Sequence, residues 1–201
     1  MPTLTSRMNP KDFQASFLSC EKDMETIINK LFVKSKPYSD ILKRLLIIDQ
    51  PDCLDSSQTQ YQDLINNYPI HKMKDEDYIL TIPRIEKLIH DNFKSHILIE
   101  FDDFVPTTNT HYRDCTISFT IICPLVKWEL DDYKLRHMQI AGYIDGILNN
   151  TKLSGIGTLQ FMGASQIILD EEHGGIIIRY IATHGNDDKD SFEETWPLSQ
   201  E

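Results

Sequence analysis

The sequence predicts an α+β domain, with a mixed, mainly antiparallel sheet packed against helices and a helical amino-terminal region. Two observations carry that class. Within residues 114–123, Cys115, Ile117, Phe119, Ile121 and Cys123 alternate with Thr116, Ser118 and Thr120. This period of two belongs to a strand with one buried and one wetter face. Downstream, Tyr133, His137, Ile140, Ala141, Ile144, Ile147 and Leu148 recur at spacings of three and four, the single apolar stripe of an amphipathic helix. Strand and helix are then followed by two or three further strands in a short antiparallel run, which completes a unit over residues 114–182.

The chain has 201 residues, 40% hydrophobic and 25% charged, which fits one globular domain with a substantial core. Its formal net charge of −11 argues against nucleic acid as the main partner, because phosphate neutralisation needs a basic patch. Lys34, Lys36, Lys43 and Arg44 lie close in sequence, but as a solvated helix face. Of the four cysteines, Cys115 and Cys123 are eight residues apart on one strand, roughly 26 Å, and cannot bridge one another. Free core thiols and the absence of a signal-peptide pattern predict a protein made in a reducing cytoplasm. No apolar run is long enough to span a bilayer, so no membrane partner is expected.

In chain order, residues 1–20 read as an arm, 21–184 as the single domain and 185–201 as an acidic tail. Met24, Ile27, Ile28 and Leu31 define a first helix over 21–33. Pro37 opens a second, continued by Ile41, Leu42, Leu45 and Leu46 to about Ile48. A shorter helix is expected over 60–67 and an exposed loop over 71–77. Ile85, Leu88, Ile89 and Phe93 predict another short helix. Residues 95–101 read as the first strand, with Ile97, Ile99 and Phe101 inward, and 102–110 as a long polar loop leading to the strand at Asp114. Beyond the helix ending at Asn149-Asn150, Gly155-Ile156-Gly157 is a turn, 158–162 and 165–169 are strand candidates, 170–175 is an acidic turn, and 176–183 is the last strand.

Little in this pattern points to catalysis. Glu100, Asp102 and Asp103 are the residue types a magnesium-dependent nuclease uses, and Lys127 and Glu129 supply a candidate companion pair. Their order is not that of the usual nuclease pattern, so a solvated loop is the better reading. His111, His173 and His184 are expected in loops and His90 and His96 beside the first strand, without metal-ligand spacing. The Gly155–Gly157 turn precedes a strand rather than a helix and therefore makes no phosphate site. No cofactor and no metal is expected.

The strand 116–123, the connection Trp128-Glu129-Leu130-Asp131-Asp132-Tyr133-Lys134-Leu135-Arg136, the helix to Asn150, the turn at Gly155-Ile156-Gly157 and the final Gly175-to-Tyr180 strand together resemble tailed-bacteriophage neck and tail-completion proteins. The tail-terminator type and the ring proteins of crAss-like phages are the most similar, over roughly residues 38–184. The resemblance implies a non-catalytic virion protein, assembled in the host bacterial cytoplasm. Copies would form a homo-oligomeric ring between the portal side and the tail, in contact with other neck, portal or tail proteins. DNA would pass through the lumen without specific binding, which an acidic surface favours. The expected subunit contacts are Val105, Thr108, Asn109, His111 and Tyr112 on the long loop, Trp128 and Tyr133 between strand and helix, and Trp196 in the tail. The alternatives are a metal-dependent nuclease and a cytoplasmic adaptor that forms no ring.

Overall fold

The computed structural model describes residues 20–33, 36–83, 93–108 and 112–185. The expected arm up to residue 19, the short helix around Ile85, Leu88 and Ile89, and the acidic tail lie outside them. The class is as read from the sequence. Four helices come first: α1 (Cys20–Leu31), α2 (Pro37–Ile47), α3 (Thr59–Asn66) and α4 (Ile70–Asp75). The strands β1 (Ile79–Leu80), β2 (His96–Pro106) and β3 (Tyr112–Pro124) follow, then α5 (Arg136–Leu148). A small hairpin of β4 (Lys152–Leu153) and β5 (Gly157–Thr158) leads to β6 (Gln160–Ile168) and β7 (His173–Gly185). The main sheet has the order β1-β2-β3-β7-β6, parallel only between β1 and β2.

The strand expected over 114–123 is there, but the wetter face expected of it is not: Thr116, Ser118 and Thr120 are buried as well, so β3 is covered on both faces. Cys115, Ile117, Phe119, Ile121 and Cys123 are all buried on the face that also holds Ile97, Ile99, Ile176, Ile178 and Tyr180. Against it pack Ile27 and Leu31 of α1, Leu42, Leu45 and Leu46 of α2, and Ile140, Ile144 and Leu148 of α5. Each such side chain, fully buried, contributes about 1.5–3 kcal/mol. Tyr180 joins the layers with a polar contact as well: its hydroxyl donates to Asp145 of α5 at 2.8 Å. Cys115 and Cys123 are not bridged, as their spacing demands; burial pushes the Cys115 thiol up to about 12 and that of Cys123 to about 11.

Several boundaries differ from the sequence reading, for identifiable reasons. The expected loop at 71–77 is largely α4. Pro69 sets its entry and Met73 alone of its residues is buried; the flanking Tyr68 and Tyr78 rings meet edge to face at 5.8 Å. A six-residue helix with one apolar anchor shows no periodicity. The polar loop at 102–110 is mostly strand: pairing runs through Asp102↔Thr116, shifts across a bulge, and resumes at Val105↔Asp114 and Pro106↔Arg113. Asp103 occupies that bulge with φ 48°. The two strand candidates 158–162 and 165–169 are one strand, β6, with a register shift between Phe161 and Gly163. Tyr133 stands outside α5 and is fully exposed.

Gly174 and Gly175, expected in a turn, are inside β7; the turn proper is residues 169–172. β3 approaches this stretch so closely that a Cβ on Gly175 would collide with the Ile121 carbonyl, and on the β6 side one on Gly174 would lie 2.8 Å from the Ile167 oxygen. Gly175→Ala should therefore cost about 1–3 kcal/mol or more, since only backbone can yield. Urea unfolding measures it, and a cost near zero would show that β3 and β7 can separate at this point.

Arg136, the first residue of α5, is 1% exposed, and all five of its N–H donors are used. Nε donates to the Lys127 carbonyl at 2.9 Å. Nη1 donates to Leu45 and Ile48 at 2.8 and 2.7 Å, and Nη2 to Asp49 and Gln50 at 3.0 and 3.1 Å. The Leu45 carbonyl in the last turn of α2, the Ile48 carbonyl at its cap and the two carbonyls that follow are thereby satisfied by a cation, the charge a helix carboxyl end favours. Arg136→Met should destabilise by about 3 kcal/mol or more, because it orphans buried acceptors. Arg136→Lys, with three donors in place of five, should recover only part of the loss in the same chemical-denaturation measurement.

Candidate functional site

The surfaces that sequence reasoning singled out lie in separate places. The β2–β3 ribbon continues beyond the buried rows of the sheet, and its distal part is open: Val105 is 54% exposed, and Pro106 and Thr108 are exposed too. Tyr112 begins β3 opposite Gly185 of β7, so the ribbon is three strands wide up to its end. Asn109 and His111 lie outside the described residues, as does Trp196.

Trp128 belongs to its own domain. Its indole N–H donates to the Cys123 carbonyl at 3.1 Å, and its ring lies 4.0 Å from that of His137. Tyr133 has the opposite character. Residues 129–135 close a tight loop by the Glu129↔Leu135 bridge and the Leu130 N–H to Lys134 carbonyl bond of 2.8 Å. At its tip Asp132 and Tyr133 both have positive φ, 59° and 58°. Left-handed backbone at two successive non-glycine residues costs about 1–3 kcal/mol each, and here it turns an aromatic ring outward. The Asp131 N–H, bonded to the Pro51 carbonyl at 3.2 Å, ties the loop to the α2–α3 connection. Beside it lies an open cleft of about 680 Å³ lined by Gln50, Pro51, Asp52, Tyr61, Leu64 and Asp131. Asp52 is engaged there by the Tyr61 hydroxyl at 2.7 Å.

The carboxylates of the nuclease alternative do not assemble with its lysine. Glu100 pairs with Ser118, whereas Lys127 lies beyond the other end of β3 in an ion pair with Asp49 at 2.8 Å. Six residues of strand, roughly 20 Å, separate Ser118 from the Pro124 end. Asp102 accepts from the Ser118 hydroxyl at 2.8 Å, and burial together with the Asp102 charge raises the Glu100 carboxyl. Among the described residues no group of three or more His, Cys, Asp or Glu side chains is placed to hold a metal ion.

The histidines depart most from expectation. His96 and His173, read as surface residues, are 2% and 1% exposed, and His137 is fully buried. His184 lies in β7 rather than a loop; His90 and His111 fall outside the described residues. His96 Nδ1 lies 2.7 Å from the Asp77 carbonyl, and His173 Nδ1 lies 3.1 Å from Asp170 Oδ1 in the β6–β7 turn. Alternation along β2 hid His96, because the strand start is buried on both faces and not on one only. The helical stripe did mark His137.

Desolvation holds His96 and His137 below the ordinary histidine value of 6.5. Below that value the unfolded chain takes up protons that the fold refuses, so stability is full above about pH 6.5 and falls as pH drops through it. The melting temperature should therefore decline between about pH 7 and pH 5, and His137→Phe should flatten the decline. Thermal melts across that range check the sign; a flat profile in the parent protein would place both histidines in wetter surroundings.

The class defined by this fold is an α+β domain with helices on one face of a mainly antiparallel sheet. Residues 39–182, well over half of the chain, match the model of the YomW family, and the protein belongs to that family, which is phage-associated. No curated protein matches it. No described helix is long and apolar enough to cross a membrane.

Proposed function

We propose that this phage-associated protein is a structural component of the virion, forming a ring in the neck or tail that joins the portal side to the tail. The observation that carries the reading is the β2–β3 ribbon, an ordered arm with exposed Val105, Pro106 and Thr108 near its end. An arm that leaves the core of its own domain unaltered costs little to build and reaches a neighbouring subunit. Contacts between two unlike patches close into a ring when the rotation between copies completes a circle. Tyr133, held outward on its strained loop, is a second anchor of the kind that dominates interface energies. The net charge of −11 supports a lumen that DNA traverses without sticking.

Electron microscopy of the purified protein, alone and with particles of the phage that encodes it, tests this proposal. Rings, or density for this fold at the neck, are expected. Val105→Asp at the ribbon should abolish them while leaving stability within about 0.5 kcal/mol, as for other exposed positions. Particles without the protein, together with no ring under any assembly condition, would overturn the reading.

A further inference from the structure

The two edges of the main sheet are protected very differently. On the β2 side, β1 covers Ile97 and Leu98, and beyond it come Glu100, Asp102, Asp103, a bulge and Pro106. Charges, bulges and proline are the devices by which sheets avoid pairing with other chains. β6, at the opposite edge of the described sheet, has neither charge nor proline and only one bulge, near its start. Its nine residues, Gln-Phe-Met-Gly-Ala-Ser-Gln-Ile-Ile, include no charge and no proline, and seven of the nine are exposed. Its only irregularity is the register shift at Met162 towards β7. Phe161, Met162 and Ile168 are 47%, 55% and 66% exposed. In an antiparallel pair every second residue turns its N–H and C=O away from its partner; the Phe161 N–H is taken by Asn149 Oδ1 at 3.3 Å, and beyond it the strand turns outward a row of backbone groups that no described strand pairs.

We propose that β6 is a homodimer contact, in which the same strand of a second copy adds antiparallel about a two-fold axis at Ser165 and joins the two five-stranded sheets into one. Two features select a second copy as the occupant. In a chain of net charge −11, a stretch without charge meets its own copy without repulsion. The strand is also self-complementary. With Met162 as the extra residue of the bulge, centring on Ser165 sets Ala164 opposite Gln166, Gly163 opposite Ile167, and Phe161 opposite Ile168 of the second copy. Phe161 and Ile168 share a sheet face, since they pair with Tyr180 and Gly174 of β7, so the exposed apolar groups cover one another at both ends. The contact is isologous and therefore distinct from the unlike patches that close a ring; it stands whether or not the ring reading does.

The test reads the mass of the full chain in solution over a wide concentration range and requires no ring. The wild type is expected at twice the 23.4 kDa of one chain. Ser165→Lys and Ser165→Glu each place like charges directly opposite across the axis and should give monomers, while an equimolar mixture of the two should restore the dimer. A Ser165→Cys variant reads the geometry independently: opposed Cβ atoms about 4.5–5.5 Å apart bring the two thiols together, so added oxidised glutathione, reduced in the exchange, should leave them as an intermolecular disulfide. A wild type that stays monomeric, a dimer that survives both charged variants, or a lost dimer that mixing does not restore would each overturn the proposal. Should both charged variants fail to fold, absence of the Ser165→Cys cross-link would overturn it.

Discussion

The placement of α2 against α5 depends on how one guanidinium is satisfied. Arg136 touches the end of α2, the segment after it and the stretch following β3, and it is itself the first residue of α5. Those pieces are separated in sequence by as many as 91 residues. A planar fork with five donors in fixed directions is satisfied only when all four segments hold one arrangement. An apolar contact would tolerate sliding of α2 along α5; five charge-assisted hydrogen bonds do not. The orientation of the α1–α2 region is therefore set by directional bonds, while the area buried behind it supplies most of the stability.

This constraint has a consequence at the surface. Because Arg136 holds the Lys127 carbonyl and Pro51 holds Asp131, the connection between β3 and α5 is pinned at both ends to the α2–α3 region. The loop carrying Asp132 and Tyr133 is short and pinned, so its left-handed residues have nowhere to relax. A fully exposed tyrosine on such a base loses little further freedom on being covered, which is the condition under which an aromatic anchor is most effective. Trp128, only a few residues earlier in the same connection, is committed to Cys123 and His137 and is not free in that way.

Much of the fold was legible in the sequence because its long elements carry strong periods. β3 alternates in residue type and α5 keeps one stripe, so their identity and their helix-facing sides followed directly, although Thr116, Ser118 and Thr120 on the other side of β3 are buried too. Where a segment is short or charged, the pattern failed: α4 has Met73 alone to mark it, β1 has two residues, and the distal ribbon is polar because it leaves the core. Arg136 shows a different kind of loss. It lies four residues before Ile140 and eight before Ile144, on the buried stripe itself, yet a charged residue at a helix start reads as solvent-facing. Its position on the stripe was the available signal. What no local signal gives is that an unpaired carbonyl in the last turn of a helix 91 residues earlier, and those just after that helix, wait for it.

The candidate surfaces were less legible for a related reason. Residue type marks an anchor only in combination with exposure, and exposure is decided by the tertiary arrangement. Tyr133 fell on the spacing of a helical stripe and is fully exposed, whereas His96 and His173 have polar side chains and are buried. The β6 edge is an extreme case. Its sequence could equally belong to an inner strand, and only the sheet order shows that one of its sides has no neighbouring strand among the described residues. A strand that would serve inside a sheet but is placed at its border has kept the composition of a paired strand. Since an unprotected edge exposes a protein to indiscriminate aggregation, retaining it is understandable where a specific partner covers it, and the acidic remainder of the surface then limits which partner that is.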